Sequence, residues 1–200
     1  MGQFSAEIYA LPGSTLSGNQ HAEQRRILRG SVLGLAICAV VVTGFQVLLP
    51  RLFRMPTNSA SELLSFWAGC AMLTVVWVFV GFALVSRGRR HSLDDIRGSA
   101  FAPPSQRIAI EVAFLQNTVE QALMAIPMQA AVLFLAGSVM APAVAGQTML
   151  FGFGRVAFRL GYPKGAGGRA LGVALTALPT MAGLCLSIWL VCTGIAARLI

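Results

Sequence analysis

Apolar residues run along this chain in long blocks, and short polar segments cut the blocks apart. Residues 31–49, 62–86, 107–137, 141–160 and 171–196 are each about 20 residues or longer and nearly all apolar, which predicts five helices able to cross a bilayer. The connectors carry breakers: PRLFRMPTNSAS at 50–61, Pro103-Pro104 before the third block, Gly137 to Pro142 after it, and GYPKGAGGR at 161–169. The expected fold is all-α, an integral membrane helical bundle that crosses the bilayer several times. Residues 1–29 mix Gly, Ser, Pro, Gln and charge without a helical period and are read as a mobile amino-terminal tail. The tail ends in QRRILR, whose paired arginines are similar to an export signal. No small-residue cleavage site follows residues 30–50, so that segment is read as a retained span.

The third block differs from the others because it carries Glu111, Asn117, Glu120 and Gln121 inside an otherwise apolar run. At about 100° per residue, Asn117, Glu120 and Gln121 share one side of a helix. That side must face protein, water or a ligand, and polar side chains so placed mark either a functional site or hydrogen-bonded packing between helices. Pro127 in the same block removes a backbone donor and predicts a kink.

Composition agrees with a membrane protein: 56% of residues are hydrophobic, 11% are charged and mean hydropathy is +0.73. The formal charge of +8 lies beside the spans and comes with no nucleic-acid-binding motif, so nucleic acid is not an expected partner. With the amino terminus inside, Arg25, Arg26, Arg29, Arg87, Arg89, Arg90, Arg97, Arg107, Arg155, Arg159, Lys164 and Arg169 fall on the inner side. Only Arg51, Arg54 and Arg198 remain outside, which predicts a cytoplasmic amino terminus and cytoplasmic basic loops. Arg155 and Arg159, four apart near a membrane edge, read as arginines that snorkel to headgroups. Cys38, Cys70, Cys185 and Cys192 lie in apolar stretches without ligand spacing, so they read as buried small hydrophobes and no metal site is expected. The glycine-rich loop at 161–169 lacks the GxxxxGK[ST] pattern and is not a phosphate cradle.

Two motifs bear a family resemblance. NxxE at Asn117 and Glu120, followed one span later by RxxFxxGYxxxxxxR at Arg155, Phe158, Gly161, Tyr162 and Arg169, resembles the MAPEG family, the membrane-associated proteins of eicosanoid and glutathione metabolism. The resemblance implies a four-helix membrane domain over residues 62–200, with residues 30–50 an added amino-terminal transmembrane helix. It further implies a homotrimer that binds glutathione, as co-substrate, between subunits near the cytoplasmic face, beside a crevice for a lipophilic small molecule or membrane lipid. Carried over by position, Asn117 and Glu120 hold the peptide-like end of glutathione, Tyr162 contacts it through its hydroxyl, and Arg169 is the catalytic cation that lowers the thiol pKa. Arg155, as part of the motif, and one arginine among Arg87, Arg89 and Arg90, as a carboxylate ligand, complete the set of implied ligand-binding residues.

This chain also departs from the family pattern. Ala113 stands where the family carries an arginine four residues before the Asn, Phe158 replaces a tyrosine, and Gln121 replaces a tyrosine after the Glu. Arg107 precedes Asn117 by ten residues, about 15 Å along a helix, too far to substitute directly. The implied activity is that of a glutathione transferase or peroxidase acting on lipophilic electrophiles. The alternative is a non-catalytic member that binds lipid or a partner. A transporter has little support, since a single polar helix face and no internal repeat are visible.

Overall fold

The structure is a computed structural model that describes residues 18–98, 101 and 103–199. Among these residues there are five α-helices and no strand: α1 Gly18–Leu52, α2 Ala60–Arg90, α3 Ala109–Ala136, α4 Ala141–Gly161 and α5 Gly165–Leu199. Four stretches are long and apolar enough to cross a membrane, Gln20–Leu52, Ala60–Arg90, Ala109–Ala136 and Ser138–Gly194. The last of these is 57 residues long and is folded back on itself at the 3-10 turn Tyr162–Lys164, giving the hairpin of α4 and α5.

The distribution of side chains is inverted relative to a water-soluble bundle. Large apolar residues such as Val40, Met72, Phe79 and Leu123 stand on the outside, each more than two-thirds exposed. Inside lie Arg155, Gln129, Thr74, Thr118 and Thr176 with the small and aromatic core residues Ala125, Phe114 and Phe151. An apolar exterior costs nothing in hydrocarbon, whereas polar groups there must find partners within the protein. The threonines do so by bonding back along their own helices, Thr74 to the Cys70 carbonyl and Thr118 to the Phe114 carbonyl.

Helices α4 and α5 approach each other closely, and glycine makes this possible. A Cβ on Gly172 would meet the backbone nitrogen and Cα of Phe158, and one on Gly161 would meet the carbonyl of Gly168. Close backbone approach of this kind lets dispersion attraction act along the full helix length. Gly172→Ala is expected to destabilise the protein by about 1–3 kcal/mol, read as a lower melting temperature in detergent. An unchanged melting temperature would mean that the two helices are free to separate.

Three expectations are corrected here. The tail read over residues 1–29 lies outside the described residues up to residue 17, but from Gly18 the chain is helical and already part of α1. The glycine-rich stretch after Tyr162 is not a loop, because α5 starts at Gly165, six residues before the expected span. Both ends are supported by contacts between α1 and α5 that local sequence does not reveal, including a bond from the Gly167 amide to Glu23. α3 stays helical through Pro127, from Ala109 to Ala136, and the Trp67 indole donates to the Ile126 carbonyl at 2.9 Å beside it. Of the cysteines, Cys38 and Cys70 are buried as expected, but Cys185 and Cys192 are exposed on α5.

The connector between α2 and α3 is closed by Asp95, which accepts from the Ser105 amide at 2.8 Å, from the Ser105 hydroxyl at 2.6 Å and from the Ser92 hydroxyl. Those bonds, with the nearby Arg89 charge, hold the Asp95 carboxyl below the usual carboxylate range. The carboxylate thus pins both ends of the connector and sets where α3 begins.

Candidate functional site

The side chains of α3, α4 and α5 that the sequence singles out meet around one fully buried arginine. Arg155 is 0% exposed and donates from Nη1 to Asn117 Oδ1 at 2.8 Å and from Nη2 to Thr176 Oγ1 at 2.7 Å. Its guanidinium lies over the Phe151 ring at 5.3 Å and the Phe158 ring at 5.1 Å, so two aromatic faces and two neutral oxygens surround the charge. Its Nε has no hydrogen-bond partner, and no salt bridge among the described residues neutralises it. The expectation that Arg155 snorkels to the membrane surface is therefore overturned. Thr176, which sequence reasoning passed over, completes the arrangement. Its signal is the pair Thr176 and Thr180, four apart in an apolar span, of which Thr180 in turn accepts from Gln147 Nε2 at 3.1 Å.

Because a guanidinium only donates, it fixes the Asn117 side chain with its oxygen inward and leaves the amide NH2 directed away from Arg155. Beyond Asn117 opens a cleft of about 340 Å³ lined by Ala113, Gln116, Asn117, Glu120, Phe158, Tyr162, Arg169 and Val173. Glu120 is exposed at its edge and accepts from Gln116 Nε2 at 3.1 Å. Tyr162 packs edge-on against Phe158 at 5.5 Å, and Arg169 stacks over the Tyr162 ring at 4.9 Å. The result is one cation, one carboxylate, an amide donor and a phenol facing a common space. Such a set suits a small zwitterionic ligand that carries both a carboxylate and an ammonium group.

The helix side drawn through Asn117, Glu120 and Gln121 is narrower than expected. Gln121 is buried, with its Oε1 unpartnered, while Glu120 is exposed, so only the Asn and Glu belong to the cleft.

Arg87 and Arg90 do not join this cleft. Arg87 lines a second one, of about 430 Å³, with His91, Arg107, Glu111 and Arg159. Glu111 and Glu120 are nine residues apart, which at about 100° per residue puts the two clefts on opposite sides of α3. In the second cleft Arg159 forms a two-pronged ion pair with Glu111, 3.1 Å from Nε and 2.7 Å from Nη2, so it too is held and does not snorkel freely. Arg107 donates to the His91 carbonyl at 3.0 Å. Arg90 is exposed, donates to Ser86 Oγ at 3.3 Å and lines neither cleft. A third, apolar groove of about 1150 Å³ runs between α2 and α4 past Phe66, Met72, Trp77 and Phe153. Among the described residues no group of His, Cys, Asp or Glu could hold a metal ion.

An all-helical membrane bundle with a polar cleft between its third, fourth and fifth helices is the class of protein these features define. Residues 65–189 match the model of the MAPEG family, and the chain belongs to that family. It is an integral membrane protein of a family of glutathione and eicosanoid metabolism. The match covers α3, α4 and most of α2 and α5, and α1 lies outside it. No curated protein and no solved structure matches the chain.

Proposed function

We propose that this protein binds glutathione in the cleft of Asn117, Glu120, Tyr162 and Arg169 and uses its thiolate to conjugate or reduce lipophilic electrophiles. The observation that carries the reading is the convergence of these four side chains on one space, with Asn117 held in orientation by a buried arginine. Glu120 would take the ammonium group, Asn117 and Tyr162 would donate to carbonyl and carboxylate oxygens, and Arg169 would stand by the sulfur. A cation at that position favours the thiolate over the thiol, so the nucleophile exists at neutral pH. In conjugation the thiol proton leaves to water, the sulfur forms the new bond to the electrophile, and the electrophile's electron pair moves onto its leaving or accepting atom. In reduction of a hydroperoxide the sulfur takes one peroxide oxygen as the alcohol leaves, and a second glutathione then displaces it as water, forming the disulfide.

Glutathione has two carboxylates, and this cleft has a single cation, because Ala113 leaves the second place without one. Arg87 lies on the other side of α3 and cannot reach the same cleft within one chain. It would serve the site of an adjacent copy, which makes a homotrimer with sites between subunits the natural assembly. The basic residues near the cleft favour a cytoplasmic orientation for this end of the bundle, with the amino terminus on the same side. The apolar groove between α2 and α4 would take the lipophilic substrate or a membrane lipid.

Calorimetry of glutathione with the detergent-purified protein, together with absorbance in the thiolate band, tests the proposal. Saturable binding with a thiolate signal is expected. A folded protein that binds no glutathione would instead favour a non-catalytic lipid- or partner-binding member, the reading to which Ala113 and the apolar groove point.

A further inference from the structure

The helix outside the family match reaches the proposed site from behind. Glu23 on α1 accepts a hydrogen bond from the Gly167 amide at 2.7 Å through Oε1, across 144 residues of sequence. Its other oxygen faces Arg26 Nη1 at 3.9 Å. Gly167 lies in the first turn of α5, where amides have no partner within the helix and the backbone dipole favours a negative charge. That turn has no acidic residue of its own, so Glu23 supplies from another helix the cap that the local sequence lacks.

The fit around this bond is close. Gly165 has φ of +80°, and a Cβ there would stand 3.1 Å from Glu23 Oε1. A Cβ on Gly167 would collide with the Arg26 side chain, and a Cβ on Gly30 of α1 would stand only 3.1 Å from the Ala170 Cβ. Gly167 and Ala170 bracket Arg169, whose guanidinium lies over Tyr162. α1 therefore holds the backbone on both sides of the cleft's one cation.

We propose that Glu23 is a positioning residue, through which α1 clamps the first turn of α5 and holds Arg169 and Tyr162 in place for the thiolate. The thiolate part of this inference rests on the function proposed above, whereas the clamp does not. The glutamate acts through the Gly167 amide and has no contact with the cleft itself. Deeper in the membrane, α1 is docked independently by Cys38 packed with Leu150 and Leu175, so loss of Glu23 leaves the helix in place.

The test compares full-length wild type, Glu23→Ala and Glu23→Gln in detergent by amide hydrogen exchange and by titration of bound glutathione. Glu23→Ala is expected to speed exchange over residues 165–169 about tenfold or more, the loss that follows from a bond to a charged acceptor. Glu23→Gln keeps an acceptor oxygen and should retain most of the protection. The melting temperature should barely change in either variant.

In the titration, Glu23→Ala should move the glutathione thiol to higher pH, because Arg169 is less well held. Removing a nearby negative charge would by itself move the thiol to lower pH. An upward shift is thus specific to positioning, and a downward or absent shift overturns it. Unchanged exchange in Glu23→Ala overturns the clamp. If the wild type gives no thiolate signal, the glutathione reading and the positioning role fail together, and hydrogen exchange alone decides whether α1 clamps α5.

Discussion

Replacing Arg169 by alanine is expected to lower thiol-dependent turnover about a hundredfold or more, on the scale seen when one preorganised charge-stabilising donor is removed from an active site. The cleft presents a single cation, and that cation is half-buried against Tyr162, where its field is less screened than in bulk water. A free thiol titrates near about 8.5, so at neutral pH only a few per cent of it is thiolate. With arginine present, the rate should rise through a pKa below that value and then level off. With alanine it should continue to rise with pH toward the range of the free thiol. Arg169→Lys should recover part of the activity, since it keeps the charge but loses the flat face that stacks on the tyrosine ring. Turnover equal to wild type in a folded alanine variant would remove Arg169 from the mechanism.

The membrane class and the approximate spans were legible because length and hydropathy alone decide whether a helix can cross a bilayer. Asn117 and Glu120 were legible for a related reason, since polar groups in an apolar helix must have a partner or a task. What sequence could not reveal are interactions set by a second helix. Gly165, Gly167 and Gly168 read as loop because glycine is a poor helix former. They are helical here because the Glu23 carboxylate caps the turn and close packing against α4 and α1 requires residues without side chains.

Arg155 and Arg159 show the same limit in another form. They are separated by one turn of α4, and spacing alone assigns them the same fate. The deeper arginine finds Asn117 and Thr176 at its own level of the bundle, and the shallower one finds Glu111 at the edge. Neither partner is near in sequence, so the burial of Arg155 could be recognised only from the packed structure. Within one chain Arg87 lines the other cleft, and which cleft a basic residue at a helix end faces depends on how that helix is rotated against its neighbours.

Arg155→Met separates the structural from the functional contribution of the buried arginine. A guanidinium enclosed by aromatic rings and neutral oxygens, with an unpartnered Nε, is costly to desolvate. Methionine fills similar space without that cost and packs well against Phe151 and Phe158. It leaves Asn117 and Thr176 each short of one donor, a loss of about 1–3 kcal/mol per stranded group. Thr176 has other partners, since its hydroxyl also donates to the Gly172 and Val173 carbonyls. These terms oppose one another, and the melting temperature of Arg155→Met is expected to lie close to that of wild type. Arg155→Ala should be less stable by about 2–5 kcal/mol, because it also opens a cavity. Glutathione binding should weaken about tenfold or more in both variants, since a single charge-assisted hydrogen bond fixes the Asn117 amide toward the cleft. A methionine variant that unfolds would make Arg155 a structural residue whose burial is repaid by packing. One that stays folded and still binds glutathione normally would mean that Asn117 needs no support from behind.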